Sequence, residues 1–323
     1  MTAKEGVIVL NDEKEELGGG DPFDIFSLPV INTDYEKFID DYVEPFSSIT
    51  QDGPIVFKWQ TLGGEKWDSS HMEVETTYAI MKGVARPTGA DDVSVINSLP
   101  ITHWDKIELQ MNDKVVTNSS SGNHAYHAYL MQKSSYCKDV KKEILKRTEC
   151  YFEDDPDHAG QYAFRTDTET SKIIEDTYKQ KHNMFVKTGK DVVTRSQLYL
   201  DLTQVMRYYP SDIDYVLTLT RNPESFCLMT KSANAGSYKI VIKKIRLIVL
   251  KIIPSRHMID RETHFLNTLK RKAYIPYTHT VLTDRLLPAN TMTYTFRDVC
   301  GTLPSLPKQL FVFMVDHTAF AGK

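Results

Sequence analysis

The residues best suited to chemistry in this sequence are few and scattered. His124-x-x-His127 sets two imidazoles one helical turn apart, where both could face one metal ion if a third ligand joined them. No cysteine or carboxylate stands at conventional ligand spacing nearby, and H-E-x-x-H is absent, so the pair reads as a surface or loop-edge feature. The cluster Asp154-Asp155-Pro156-Asp157-His158 has carboxylates enough for calcium. It lacks the glycine and the closing glutamate of a calcium loop, and reads as a solvated acidic loop. His71, His103 and His279 lack the spacing of a metal-holding triad inside a β-barrel. No phosphate-cradling glycine loop and no G-x-S-x-G nucleophile elbow occurs. Lys141-Lys142, Lys146-Arg147 and Lys270-Arg271-Lys272 could meet phosphates, but no aromatic residues interleave them, and they read as solvated faces. Asn118-Ser119-Ser120 fits a glycosylation sequon by chance. No catalytic, cofactor-binding or metal residue is assigned, and a non-enzymatic role is expected.

The elements that carry these residues are strands. Ile213, Tyr215, Leu217 and Leu219 alternate with Asp212, Asp214, Thr218 and Thr220, giving one buried and one wet face. Asn222-Pro223-Glu224-Ser225 turns the chain. The run from Tyr238 to Ile253 is dense in Ile and Val and is bounded by Pro254, which favours strand over helix. Its double lysine, Lys243-Lys244, shifts the alternation by one residue and predicts a β-bulge or a sharp bend.

Earlier in the chain, Pro54–Trp59 reads as a strand, and Met72, Val74, Thr76, Tyr78 and Ile80 stay in phase over another. Ile107–Met111 and Val115-Val116 form a hairpin around Asn112-Asp113-Lys114. His124 to Arg147 is the first convincing helix, and residues 150–190 read as an insertion loop with a short helix at Ser171–Gln180. A short helix is expected within Arg256–Lys272. Strands are expected at Tyr274–Leu282, Met292–Phe296 and Gln309–Val315. About ten strands separated by turns, with few helices, point to an all-β class of antiparallel sandwiches or jelly rolls.

Composition sets the outer limits. The chain has 323 residues, 41% hydrophobic and 25% charged, as in an ordinary folded protein of about two domains. A net charge of −4 announces no nucleic-acid partner. Four widely spaced cysteines read as reduced and structural. No apolar run approaches the ~20 residues of a membrane helix, and no signal peptide is read at the N-terminus. Residues 1–21 are a polar arm with a Gly18-Gly19-Gly20 joint. Its Val7–Leu10 could add a strand to a neighbour's sheet.

Several segments, in order, resemble the hexon-like major capsid protein of Maverick/Polinton elements (adintoviruses). They are Phe23–Val30, the hairpin Ile107–Val116, Asp214–Met229, the strand Tyr238–Lys251 and Val315–Gly322, together spanning about residues 22–322. The resemblance implies a double jelly roll, with three chains forming a pseudo-hexagonal capsomer of an icosahedral shell. It places the first jelly roll at 22–235, with the 150–190 insertion, and a second at 236–323. The family continues beyond the matching segment, so the second roll is expected to be shortened and incomplete. The implied partners are other copies of the chain as a homotrimer, neighbouring capsomers, a penton protein, and packaged DNA by non-specific contact, with no membrane. The implied location is the virion, assembled in host cytoplasm or nucleus. Two alternatives remain: a single jelly-roll penton protein forming pentamers, and a carbohydrate-binding β-sandwich stacking sugars on Trp59, Trp67, Trp104 and the many tyrosines.

Overall fold

In the computed structural model, residues 34–117, 123–152, 171–205, 207–230, 237–282, 286–288, 293, 295 and 308–315 are described. Expectations for the arm, Phe23–Val30, the sequon, the acidic cluster 154–158 and most of Met292–Phe296 lie outside them.

Alternation builds the strands, and the strands sort into two sheets. In chain order they are β1 (Tyr35–Val43), β2 (Ile55–Thr61), β3 (Lys66–Lys82), β4 (Val93–Val95), β5 (Trp104–Met111), β6 (Lys114–Val115), β7 (Val192–Gln197), β8 (Ile213–Arg221), β9 (Leu228–Thr230) and β10 (Tyr238–Pro254). One four-stranded sheet has the order β1-β10-β3-β7 and the other β2-β8-β5-β6. Every pairing is antiparallel. β4 and β9 form a separate two-stranded ribbon. The chain passes between the two large sheets rather than completing one before starting the other, which is the winding of an eight-stranded jelly roll. The fold is all-β, as the periodicity predicts.

The core lies between the sheets, where the in-phase residues meet. Met72, Val74, Thr76, Tyr78 and Ile80 are all at most 2% exposed, and Tyr215, Leu217 and Leu219 at most 1%. At one end Trp59 stacks on Tyr215 with ring centroids 5.1 Å apart, and Trp67 packs edge-on to both and against Tyr209. These rings bind the β2-β8 pair of one sheet to β3 of the other, with the offset and edge-on geometry that aromatic quadrupoles favour. The hairpin closes through Asn112 and Asp113, both at positive φ (46° and 65°), as a two-residue turn matched to strand twist requires.

The expected bulge is present. The register of β10 against β3 shifts between Ile242 and Lys244. Tyr238, Ile240 and Ile242 point inward before it, and Ile245, Leu247 and Val249 after it, while both lysines stay exposed. This extra residue keeps the strand facing the core through Val249, and a second register shift between Ile248 and Leu250 brings Ile252 inward.

Four expectations change. First, β10 does not open a second jelly roll. It is hydrogen-bonded between β1 and β3 and supplies the eighth strand of the first roll, so that roll extends past 235 to Pro254. Its isolation beyond the small-residue break made it look like a new beginning, whereas a strand's place is set by its partners.

Second, Tyr274–Leu282 and residues 309–315 form no strand. Alternation provides a face, but a ladder needs a partner edge, and among the described residues none pairs with these segments.

Third, the helix expected at 124–147 is broken. His124–Ser135 ends at an extended Tyr136, whose hydroxyl donates to Gln197 Oε1 at 3.2 Å, and the helix resumes at Lys138. Fourth, the end of the 150–190 segment is not a surface loop. The helix Ser171–His182 continues through Asn183–Lys187 and buries Phe185 and Val186 in the main core. The short helix expected after β10 forms at Arg256–Thr263.

Candidate functional site

The jelly roll distributes the singled-out residues over separate places. The helix His124–Ser135 carries the histidine pair, with ring centroids 6.1 Å apart. His124 is 5% exposed, and burial, aided by His127, lowers its pKa to about 3, so it is neutral at pH 7. Burial also lowers His127, against the opposing pull of Asp201. His127 Nε2 lies 3.9 Å from Asp201 Oδ1. The other oxygen of Asp201 is 3.0 Å from His279 Nδ1 and accepts the Thr280 amide at 2.8 Å. One carboxylate therefore faces a histidine of the helix and one of the C-terminal segment. Arg207 Nη1 adds a second tie, donating to Tyr274 O at 2.9 Å. This arrangement fastens residues 274–280 to the sandwich.

His71 sits elsewhere, against Asp68 at 2.7 Å with its side chain 65% exposed, and His103 is inside the sandwich. His71, His103 and His279 do not converge. Among the described residues no group of three His, Cys, Asp or Glu side chains stands ready to hold a metal ion.

Lys142, Lys146, Arg147, Lys270, Arg271 and Lys272 are exposed on helix surfaces and at a helix end, as solvated residues should be. Trp59, Trp67 and Trp104 are 7%, 0% and 0% exposed, so none can stack on a sugar from solvent. The carbohydrate-binding alternative loses its three tryptophans.

Two surfaces remain for contact with partners. The outer face of the β1-β10-β3-β7 sheet carries a ladder of alternating charge. Arg195 pairs with Glu73, Arg246 grips Glu75 through two bonds of 2.9 and 3.0 Å, and Lys251 reaches Asp41 at 2.7 Å. Exposed pairs of this kind each contribute about 0–1 kcal/mol to stability, so their weight lies in patterning the face. Arg246 also lies over the Tyr42 ring, 4.6 Å from its centroid, on the outer edge strand β1. Tyr42 and Phe38 on that strand are half exposed.

The second surface is the C-terminal segment. Leu310, Phe311, Val312, Phe313, Met314 and Val315 are consecutive and all exposed, Met314 at 85%. Phe313 is anchored only loosely, its ring 6.2 Å from that of Tyr126. A run of six exposed large apolar side chains is a surface that burial in an interface would stabilise.

Sequence reasoning missed one cluster altogether. Arg221 continues the inward-facing odd phase of β8, after Tyr215, Leu217 and Leu219, and this phase was the signal that could have exposed it.

No protein-family model matches the sequence, and no curated protein matches it either. Solved structures similar to the chain include three of viral origin. A chain in the structure of the Sputnik virophage is 12% identical, with a TM-score of 0.47, covering 78% of this chain and 53% of that one. The mavirus major capsid protein is 14% identical, with a TM-score of 0.38 and the same two coverages. The Faustovirus major capsid protein is 10% identical, with a TM-score of 0.39, covering 75% of this chain and 59% of that one. This chain thus spans between half and three-fifths of the length of the solved chains it resembles.

Proposed function

We propose that this chain is a structural capsid protein that self-assembles through its loops and its exposed apolar segments. The observation that carries the reading is where the capsid-like segments fall. Ile107–Val116 forms the β5–β6 hairpin, Asp214–Met229 forms β8, its turn and most of β9, and Tyr238–Lys251 forms most of β10. The β5–β6 hairpin, β8 and β10 take their places in one continuous eight-stranded jelly roll, and β9 joins the two-stranded ribbon beside it. A jelly roll alone would not imply this role, since the same scaffold serves lectins and cupins. The ordered set of segments on that scaffold favours a capsid.

In the finer form of the proposal, the chain is the major capsid protein of a Maverick/Polinton-type element and resides in its virion. Three copies form a pseudo-hexagonal capsomer. Residues beyond Pro254 belong to a second jelly roll, whose strand-patterned stretches at 274–282 and 309–315 find their sheet partners in the assembled capsomer. Neighbouring capsomers, a penton protein and packaged DNA are the partners. No catalytic residue is required, because rigid antiparallel sheets resist deformation and the loops supply contacts.

The completeness of the first roll by Pro254 favours one second reading, a single jelly-roll penton protein forming pentamers. Light scattering of the purified chain, with electron micrographs of the same peak, separates the two. A trimer of pseudo-hexagonal outline is expected; a pentamer transfers the assignment to the penton, and a stable monomer at high concentration refutes both.

A further inference from the structure

The strongest unexplained feature lies inside the sandwich, at the end opposite the Trp59–Tyr215 stack along β8. Two buried side chains, Tyr78 and His103, and a half-buried arginine, Arg221, present buried hydrogen-bonding atoms there that have no partner. Tyr78 of β3 is 0% exposed and its hydroxyl closes no hydrogen bond of good geometry, although Thr76, two residues back on the same face, interacts with it. His103, just before β5, is 3% exposed and neither ring nitrogen is bonded. Its ring centroid is 5.6 Å from that of Tyr78 and 5.1 Å from that of Trp104, whose buried Nε1 is also unpaired. Arg221 enters from β8, directly across from Trp104. Its Nη1 donates to Gln51 O at 2.7 Å, but Nε and Nη2 are buried and unpaired.

Nearly every unpaired atom in this cluster is a donor. Nε and Nη2 form the side edge of the guanidinium, whose two parallel N–H bonds match the two oxygens of a carboxylate. The Tyr78 hydroxyl and the neutral His103 imidazole are close enough to Arg221 for its charge to act on both. Burial, and secondarily Arg221, lowers the His103 pKa to about 3, so this ring is neutral at pH 7. Buried guanidinium donors left without a partner are costly, whereas donors bonded to an anion are not. The charged groups that also act on Arg221 are Asp52 and Glu224. Glu224 Oε1 is already taken by Gln51 Nε2 at 2.7 Å, and neither carboxylate bonds Nε or Nη2. The buried thiols Cys150 and Cys227 complete the neighbourhood of Tyr78.

We propose that this end of the interior is a binding site for a small carboxylate anion, held two-pronged by Arg221 Nε and Nη2 and capped by donors from Tyr78 and His103. The site is independent of the capsid assignment and lies away from the surfaces proposed for assembly.

The test is thermal unfolding of the full chain at pH 7 in sodium formate against sodium chloride at equal ionic strength. It is carried out on the wild type and on Tyr78→Phe and Arg221→Lys. At ten times the dissociation constant, formate is expected to raise the wild-type Tm by about 4 °C. Tyr78→Phe removes one donor without changing the ring and should lose most of that shift. Arg221→Lys keeps the charge but lacks the two-pronged edge, and should lose it as well. The proposal is overturned if formate shifts wild type and Tyr78→Phe equally, which would mark a general salt effect. It is also overturned if the wild type does not respond and Tyr78→Phe melts higher in chloride, since the hydroxyl would then be only an unsatisfied buried group.

Discussion

Where the first jelly roll ends can be tested by cutting the chain. A boundary after Ala235 leaves β10 out, whereas the structure makes β10 the strand between β1 and β3. Two truncated chains separate these views: residues 1–235 and residues 1–272. The shorter one loses eight buried side chains: Tyr238, Ile240, Ile242, Ile245, Leu247, Ile248, Val249 and Ile252, each at most 5% exposed. At about 1.5–3 kcal/mol for each large apolar side chain buried, their removal forfeits roughly 12–24 kcal/mol of gross burial. The whole stability of a domain is about 5–15 kcal/mol, so the loss exceeds what the rest can absorb. Among the described strands β1 would also lose its one ladder partner, and β3 one of its two. The longer chain keeps all of this, together with the helix Arg256–Thr263, whose Glu262 pairs with Lys66. Far-UV circular dichroism and urea unfolding are the assay. Residues 1–272 should unfold in one cooperative transition, and residues 1–235 should show none. A cooperative transition of 1–235 with an undiminished midpoint would refute the argument.

Three further outcomes follow from particular residues. Leu217→Ala, at a fully buried position of a central strand, should lower the urea-unfolding free energy by about 2–5 kcal/mol, whereas Thr218→Ala on its wet side should stay within about 1 kcal/mol. Deleting Lys244 should abolish cooperative unfolding, because losing the bulge turns Ile245, Leu247 and Val249 to the wrong face; Lys244→Ala keeps the phase and should be nearly neutral. Asp91 is held below the usual carboxylate range first by Lys82, then by the Thr88 amide and Tyr238. Its contribution is thus present above the ordinary value near 3.8 and lost as pH falls through the lower folded value. Wild type should exceed Asp91→Asn in stability at pH 6, with the gap closing in strong acid; a gap constant with pH would sink the assignment.

Much of the strand pattern was legible in the sequence because alternation is a local signal. The phases of β3 and β8, the Asn112-Asp113 turn and the Lys243-Lys244 bulge each need only neighbouring residues to be read, and each stands in the structure as its spacing implies. The same locality explains the failures. Tyr274–Leu282 and Gln309–Val315 alternate well or are densely apolar, yet form no strand, because a strand also requires an edge supplied from elsewhere. The histidines at 124 and 127 were visible as a pair, but not that Asp201 would set His127 near His279, which is far away in sequence. Arg221 was readable in principle, being in phase with the buried face of β8, but a charge at the end of an apolar phase looks like a return to solvent.

Composition and periodicity thus determined the all-β class, the main strands and the bulge that keeps β10 in phase. Only the tertiary structure decided that β10 closes the first jelly roll, that the tryptophans are core, and that Tyr78, His103 and Arg221 share one buried end. The reason is physical: side-chain direction follows from the two-residue repeat of the backbone, whereas strand partnership and buried polar encounters depend on hydrogen bonds between residues more than a hundred positions apart.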